Sequence, residues 1–170
     1  VSMKGPRELA ENVWYEVRTE INVGEPLFRL AWAVTLFYRV LIETKAKFGF
    51  EMRGLVLNEA WLTFYIKPAN GLELPKIMQW LKQTFSLRFN VRTGRKAHLW
   101  GERYWSEILA GEPPPEAEEV DWDAVVAEAK TPIPEEMAYA LSWDSLRTGV
   151  WEAKTSFSPK NQPNPAFPPG

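Results

Sequence analysis

Residues 50–67 read FEMRGLVLNEAWLTFYIK, and this stretch decides the fold. It holds two runs rich in strand-forming residues, 50–57 and 60–67, which are separated by the polar bend Asn58-Glu59. Two such runs joined by a short polar bend are typical of an antiparallel β-hairpin. The segment 68–71, PANG, then ends the second run. The stretch therefore predicts two paired strands.

A helix is predicted on either side of this hairpin, with a further strand beyond each helix. Apolar residues recur at three- and four-residue intervals in 30–48 and in 74–91, which is the spacing of an amphipathic helix. Gly49 and Gly94 follow these segments and end them. Residues 13–21 and 98–108 are predicted as strands. This order predicts an α+β, ferredoxin-like split βαβ fold (βαββαβ), with an antiparallel sheet and two helices on one of its faces.

The last part of the chain has a different composition. Residues 111–170 hold ten of the 14 Pro residues and begin with an acidic, Pro-rich linker. We therefore predict an α+β domain over 1–110 and an acidic, Pro-rich C-terminal extension over 111–170. Short helices are predicted at 121–130 and 134–143. Trp122, Trp143 and Trp151 favour docking of this extension on the body of the protein over full disorder.

The composition excludes several classes of site. The chain has no Cys, which excludes disulfides, thiol nucleophiles and Cys-based metal centres. His98 is its single His, so one chain cannot supply a two-His metal site. The apolar runs are shorter than the ~20 residues of a membrane helix, and the first residues show no secretory signal pattern. We therefore expect no membrane partner and a cytoplasmic location.

The charge is distributed unevenly along the chain. The net charge is −2, but residues 1–110 carry 16 Lys and Arg against 11 acidic residues, whereas 111–170 carry 4 against 11. The positive charge is densest between Lys76 and Arg103. This pattern indicates a surface for a polyanion. A merely solvated helix face is the alternative, and the acidic extension is expected either to cover the basic face or to act as a solubilising appendage.

Four segments carry a resemblance to a known family. They are YEVRT at 15–19, GLVLNEAWL at 54–62, MQWLK and RFN at 78–82 and 88–90, and a last segment that contains TGR, HLWG and RY between 93 and 104. They resemble the HUH single-tyrosine transposases, in particular the REP-associated tyrosine transposases and their insertion-sequence relatives. The last segment is similar to that family's Gly-His-Leu-Trp-Gln-Gly-Arg ending and is the most specific of the four.

The resemblance implies cleavage and rejoining of single-stranded DNA, with two His ligands for Mg or Mn and a nucleophilic Tyr. It places Glu59 and Trp61 at the two His positions and Phe85 at the Tyr position. An indole offers no ring-plane lone pair to a metal, and a phenyl ring has no hydroxyl. The resemblance therefore implies no catalytic residue, no metal ligand and no cofactor in this chain. We expect Trp61 and Phe85 to fill the former active site as core, and Glu59 to be a solvated turn residue.

The basic part of the chain is expected to retain nucleic-acid binding. Cations can contact backbone phosphates, and His98 can lie beside a phosphate or bond to the backbone. Trp100, Tyr104 and Trp105 can stack on unpaired bases or pack between sheet and extension. The predicted nucleic-acid-binding residues are Lys82, Arg88, Arg92, Arg95, Lys96, His98, Trp100 and Arg103.

Three functions stay open at this point. The first is a catalytically degenerate transposase relative that binds DNA as a hairpin or a single strand. The second is a protein–protein interaction domain, or a homodimer, that uses an open sheet edge or the Pro- and Trp-rich extension. The third is an active DNA transposase, working in DNA transposition and recombination, that uses other residues such as Tyr104.

Overall fold

The computed structural model describes residues 8–22, 27–96, 98–101 and 103–133. The elements are the strands β1 (Tyr15–Glu20), β2 (Phe50–Leu57), β3 (Trp61–Pro68) and β4 (Trp105–Ile108), and the helices α1 (Ala31–Phe48), α2 (Leu74–Thr93) and α3 (Trp122–Ala129). The strands form an antiparallel sheet in the order β2-β3-β1-β4. The predicted α+β, ferredoxin-like split βαβ fold is confirmed.

Both long helices end at the predicted glycines. Gly49 has φ 78° and donates its N–H to the carbonyl of Lys45, and Gly94 has φ 70° and donates to the carbonyl of Asn90. A residue without Cβ adopts positive φ at little cost, so the sequence signal for the two ends was reliable. Among the described residues, no helix combines the length and apolar character that crossing a bilayer requires.

The core lies between the two long helices and one face of the sheet. β1 buries Tyr15, Val17 and Thr19 and turns the residues between them outward. β3 follows the same alternation, since its residues Leu62 and Phe64 are also fully buried. We call the opposite side of the sheet the open face, because α1 and α2 do not cover it. It carries Glu16, Arg18, Trp61, Thr63, Tyr65 and Trp105.

The fourth strand is shorter than predicted. Trp105 pairs with Arg18, but the next pair is an isolated bridge between Trp100 and Ile21. Between these two pairs, the first strand has two residues and the last segment has four. The two extra residues form a bulge. The prediction of a continuous strand over 98–108 was wrong in its first half for this reason.

The acidic extension pairs with the outer edge of β2. The N–H of Gly54 donates to the carbonyl of Glu118 at 2.8 Å, and the N–H of Val120 donates to the carbonyl of Met52 at 3.3 Å. The Arg53 guanidinium donates to the carbonyl of Ala117 at 2.9 Å. We use the name β2 edge for this strand together with the segment 117–120.

Beyond the β2 edge, α3 packs against α1. Its start is capped by Asp121, whose carboxylate accepts from the Ala124 N–H. Val125 is buried, and the Trp122 ring lies 6.3 Å from the ring of Phe50. The helix predicted at 121–130 is therefore present. The helix predicted at 134–143 and the other two tryptophans of the extension lie outside the described residues, and the division into 1–110 and 111–170 stays a prediction.

Candidate nucleic-acid interface

The predicted basic residues lie on α2 and on the chain that follows it, which returns to the end of β1. The segment 98–101 is tied to that end of the sheet, because the Asn22 N–H donates to the Leu99 carbonyl at 2.8 Å and the Gly101 N–H donates to the Glu20 carbonyl at 2.7 Å. The Asn22 side-chain amide also donates to the carbonyl of His98. We call this part of the molecule the basic end. It comprises Lys82, Arg92, Arg95, Lys96, His98 and Arg103.

A cleft of about 300 Å³ lies at the basic end, between α2 and the segment 98–101. The polar side chains along it are Lys82, Gln83, Ser86 and His98. The Lys82 ammonium lies 5.9 Å from the ring centroid of Trp100 and 6.0 Å from that of Tyr104. The cleft is thus lined by an ammonium, an amide, a hydroxyl and an imidazole, which are groups that suit an anionic or polar ligand.

Trp100 forms the apolar floor of this cleft. Its Nε1–H donates to the Lys82 carbonyl at 3.1 Å, and its ring lies 5.8 Å from that of Phe85. Trp100 and Tyr104 are each only 6% exposed. A base needs an open ring face to stack on, so neither ring is available to it in this arrangement. Strand alternation explains this placement, because Trp100 lies opposite Ile21, which is in the core, whereas Trp105 lies opposite Arg18 and stays half-buried on the open face.

Arg88 is paired with a carboxylate of the neighbouring helix. Two of its guanidinium nitrogens donate to the two carboxylate oxygens of Glu43, each at 2.8 Å. This hydrogen bonding lowers the pKa of Glu43 and raises the pKa of Arg88. The pair links α1 to α2 and balances the Arg88 charge, so Arg88 adds less positive potential than the sequence suggested. Its role in nucleic-acid binding stays a prediction.

The three family positions differ in their surroundings. Phe85 is fully buried among aromatic rings, which confirms the expectation that it fills the core. Glu59 is exposed at the bend after β2, and its Oε2 atom lies 3.5 Å from the Nε atom of Arg29. Trp61 is 37% exposed, so the expectation that it became core was wrong. Its neighbour Leu62 points toward the helices, and strand alternation therefore turns Trp61 to the open face.

The metal site that the resemblance implies does not fit the residues present. Within 8–22, 27–96, 98–101 and 103–133, no group of three or more His, Cys, Asp or Glu side chains could hold a metal ion. Of the two residues at the family's His positions, Trp61 has an indole side chain, and the carboxylate of Glu59 forms an ion pair with Arg29. We derive no chemistry through a metal.

The sequence interpretation missed a cluster on the open face. The Arg18 guanidinium carbon lies 5.6 Å from the ring centroid of Trp61 and 5.4 Å from that of Trp105. The three residues come from adjacent strands, and the register pairs Arg18 directly with Trp105. Strand parity could have placed all three on one face, but the register that aligns them required the structure.

A second cleft, of about 450 Å³, lies at the β2 edge and has the opposite charge. Its lining includes Tyr38, Glu116, Glu118, Glu119 and Asp121. Burial raises the pKa of the Tyr38 hydroxyl, and the nearby carboxylate of Glu128 adds to the effect. These carboxylates would repel a phosphate, so this cleft is a poor site for nucleic acid.

Comparison with known proteins gives a likeness in structure but not in sequence. No family model matches the chain, and no curated protein matches it. Among solved structures, a REP-associated tyrosine transposase bound to a REP hairpin matches with a TM-score of 0.55 and 13% sequence identity. The match covers 65% of this chain and 64% of that chain. At this identity the likeness shows a shared fold.

Proposed function

We propose that this protein binds DNA, as a hairpin or an unpaired strand, through the basic end. The observations that carry the proposal are the cleft between α2 and the segment 98–101, which Lys82 and His98 line, and the cations Arg92, Arg95 and Lys96 at the end of α2 and just after it. The shared fold with a transposase bound to a REP hairpin supports it. Cations that contact phosphates release condensed counterions, which favours binding and makes it depend steeply on salt.

Residues 117–120 of the acidic extension lie along β2, and β4 lies at the other side of the four-strand sheet. Strands are spaced ~4.8 Å apart, so the two sides of the sheet are separated by roughly 14 Å. Since exposed charges are screened beyond ~8 Å at physiological salt, carboxylates in 117–120 have little effect on charges at the β4 side.

The first experiment measures fluorescence anisotropy of a labelled DNA hairpin with an unpaired tail. We expect the full chain to bind at low salt and the affinity to fall steeply as salt is added. Arg92→Ala/Arg95→Ala/Lys96→Ala should reduce the slope of log affinity against log salt by ~0.9 for each phosphate that the variant no longer neutralises.

A matched control removes as much charge from the opposite end of the fold. Lys47, Lys67 and Lys76 lie in the last turn of α1, near the end of β3 and in the first turn of α2. Lys47→Ala/Lys67→Ala/Lys76→Ala should bind like the unmodified chain. Equal losses of affinity in the two triple variants would mean non-specific attraction, and absence of binding at low salt would refute the proposal.

We further propose that binding proceeds without strand cleavage. The support is the state of the family positions: a buried phenyl ring at Phe85, an indole at Trp61 and an ion-paired carboxylate at Glu59. The test incubates the protein with the tailed hairpin and Mg²⁺ or Mn²⁺ and resolves the products on a denaturing gel. A covalent protein–DNA adduct would overturn this proposal, and separate Tyr65→Phe, Tyr104→Phe and Tyr139→Phe variants would then locate the nucleophile.

A further inference from the structure

We propose that Trp61 and Trp105, arranged around Arg18, form a stacking platform for unpaired nucleobases on the open face. The proposal rests on the proposed function and adds to it, because it assigns the unpaired part of the DNA to a second surface. We call this cluster the Trp–Arg–Trp platform.

The platform is an aromatic surface that is accessible to solvent and whose rings are held in place by a cation. The guanidinium carbon of Arg18 lies within 6 Å of both ring centroids. Cation–π contact of this kind fixes the orientation of the rings before a ligand arrives. The Trp61 residue is 37% exposed and the Arg18 side chain is 47% exposed. A large apolar side chain that stays this exposed beside a half-exposed cation is a common composition for a binding surface.

The chemistry of the platform selects the ligand class. Every nucleobase has a π face that stacks on an indole. A guanidinium can pair with the phosphate that follows the stacked base along the strand. The same surface carries carboxylates. The Glu16 Oε2 atom lies 3.7 Å from the Arg18 Nη2 atom, and Glu107 pairs with Glu16 across the strands. These charges oppose a phosphate backbone that would run further along the sheet. The platform therefore suits one or two bases at a strand end rather than a long strand.

The platform and the basic end lie at the same end of the sheet, on its two faces. Trp61 pairs with Glu20 across β3 and β1, and the Glu20 carbonyl accepts the N–H of Gly101. The row from Trp61 to Gly101 thus crosses the sheet at the end where the cleft opens. An unpaired tail that leaves a duplex held at the basic end meets Trp61 and Trp105 next.

The test compares two DNA probes: a short blunt hairpin, and the same hairpin extended by a thymidine tail of about six nucleotides. Trp61→Ala and Trp105→Ala should each weaken binding of the tailed probe about five-fold or more, because one base can no longer stack. Binding of the blunt probe should not change. Trp61→Phe keeps a flat ring and should recover most of the affinity for the tail.

Trp80→Ala is the matched control. Trp80 is also half-buried beside a cation, since Lys47 lies 6.0 Å from its ring, but it lies on α2 away from the open face. This variant should bind both probes normally. Thermal unfolding of every variant verifies that the chain still folds.

A crosslinking measurement on the unmodified chain covers the case in which the variants do not fold. A photoreactive 5-iodouracil in the tail should crosslink to the peptides that contain Trp61 or Trp105. The platform would be refuted if crosslinks formed only with other peptides. It would also be refuted if Trp61→Ala bound each of the two probes as tightly as the unmodified chain does. The proposed function would still stand if the basic-end variant weakened both probes, and it would fail separately if neither probe bound at all.

Discussion

The β2 edge and the basic end differ in what lies beside the sheet. At the β2 edge, an acidic segment adds backbone hydrogen bonds to the strand and α3 then packs on α1. At the basic end, the last strand is short, and Lys82 and His98 line a cleft beside α2. Acidic residues thus lie in a segment that adds to the sheet at one side, whereas the proposed DNA-binding residues lie beside a cleft at the other.

Specific contacts, rather than net charge, attach the extension. The Arg39 guanidinium donates to the carbonyls of Ala129 and Thr131, each at 2.7 Å, and the Thr35 hydroxyl donates to Glu128 at 2.8 Å. The described part of the extension thus neither covers the basic end nor hangs free as an appendage. Whether the extension as a whole covers the basic face or acts as a solubilising appendage stays a prediction.

The largest effect is expected beneath the basic end. Phe85 is fully buried, and its ring lies 5.8 Å from Trp100 and 6.0 Å from Phe28. Phe85→Ala should lower the free energy of unfolding by ~4 kcal/mol, because it leaves a cavity under the cleft. Urea denaturation measures this change. The exposed Leu72 supplies the control, since Leu72→Ala should change stability little, and a decrease below ~1 kcal/mol for Phe85→Ala would contradict a packed core here.

A smaller effect is expected at the β2 edge. The Trp122 ring packs near Phe50, and the Lys45 ammonium lies 4.8 Å from its centroid. Trp122→Ala should lower the free energy of unfolding by ~2 kcal/mol, less than for a fully buried Trp. DNA affinity should stay unchanged, as anisotropy would record. A strong decrease of affinity in a variant that remains folded would break the division between the two regions.

The smallest effect concerns the pair that joins α1 and α2. Hydrogen bonding to Arg88 lowers the pKa of Glu43 below its ordinary value, so the pair stabilises the fold at neutral pH and loses its contribution as the pH falls through the lowered pKa. As the pH falls from neutral into the acid range, Glu43→Gln should therefore lose less stability than the unmodified chain. The difference should be at most ~1 kcal/mol, because both side chains are partly exposed. Equal acid sensitivity of the two proteins would contradict a contribution from this pair.

Local patterns in the sequence predicted most of the fold. The bounds of β2 and the ends of α1 and α2 follow from strand-forming runs and from Gly49 and Gly94, whose signals act within a few residues. The helix predicted at 121–130 in the extension is likewise local, since Asp121 caps its start. Such features depend on neighbours along the chain, so one sequence is enough to find them.

The candidate site was less predictable because it depends on distant partners. The interruption of strand pairing between Trp100 and Trp105 arises from the register between β1 and the last segment. The pairing of Arg88 with Glu43 joins two helices, and the Trp–Arg–Trp platform joins three strands. Charge density alone therefore points to a region of the chain but does not show which side chains face a ligand.

Hydrogen–deuterium exchange with and without a tailed DNA hairpin would show which of the two regions binds DNA. We predict slower exchange on DNA addition at the end of α2 and in the segments 94–96 and 98–101, and unchanged exchange in 117–129. Slower exchange in 117–129, with none at the basic end, would contradict the proposed division between the two regions.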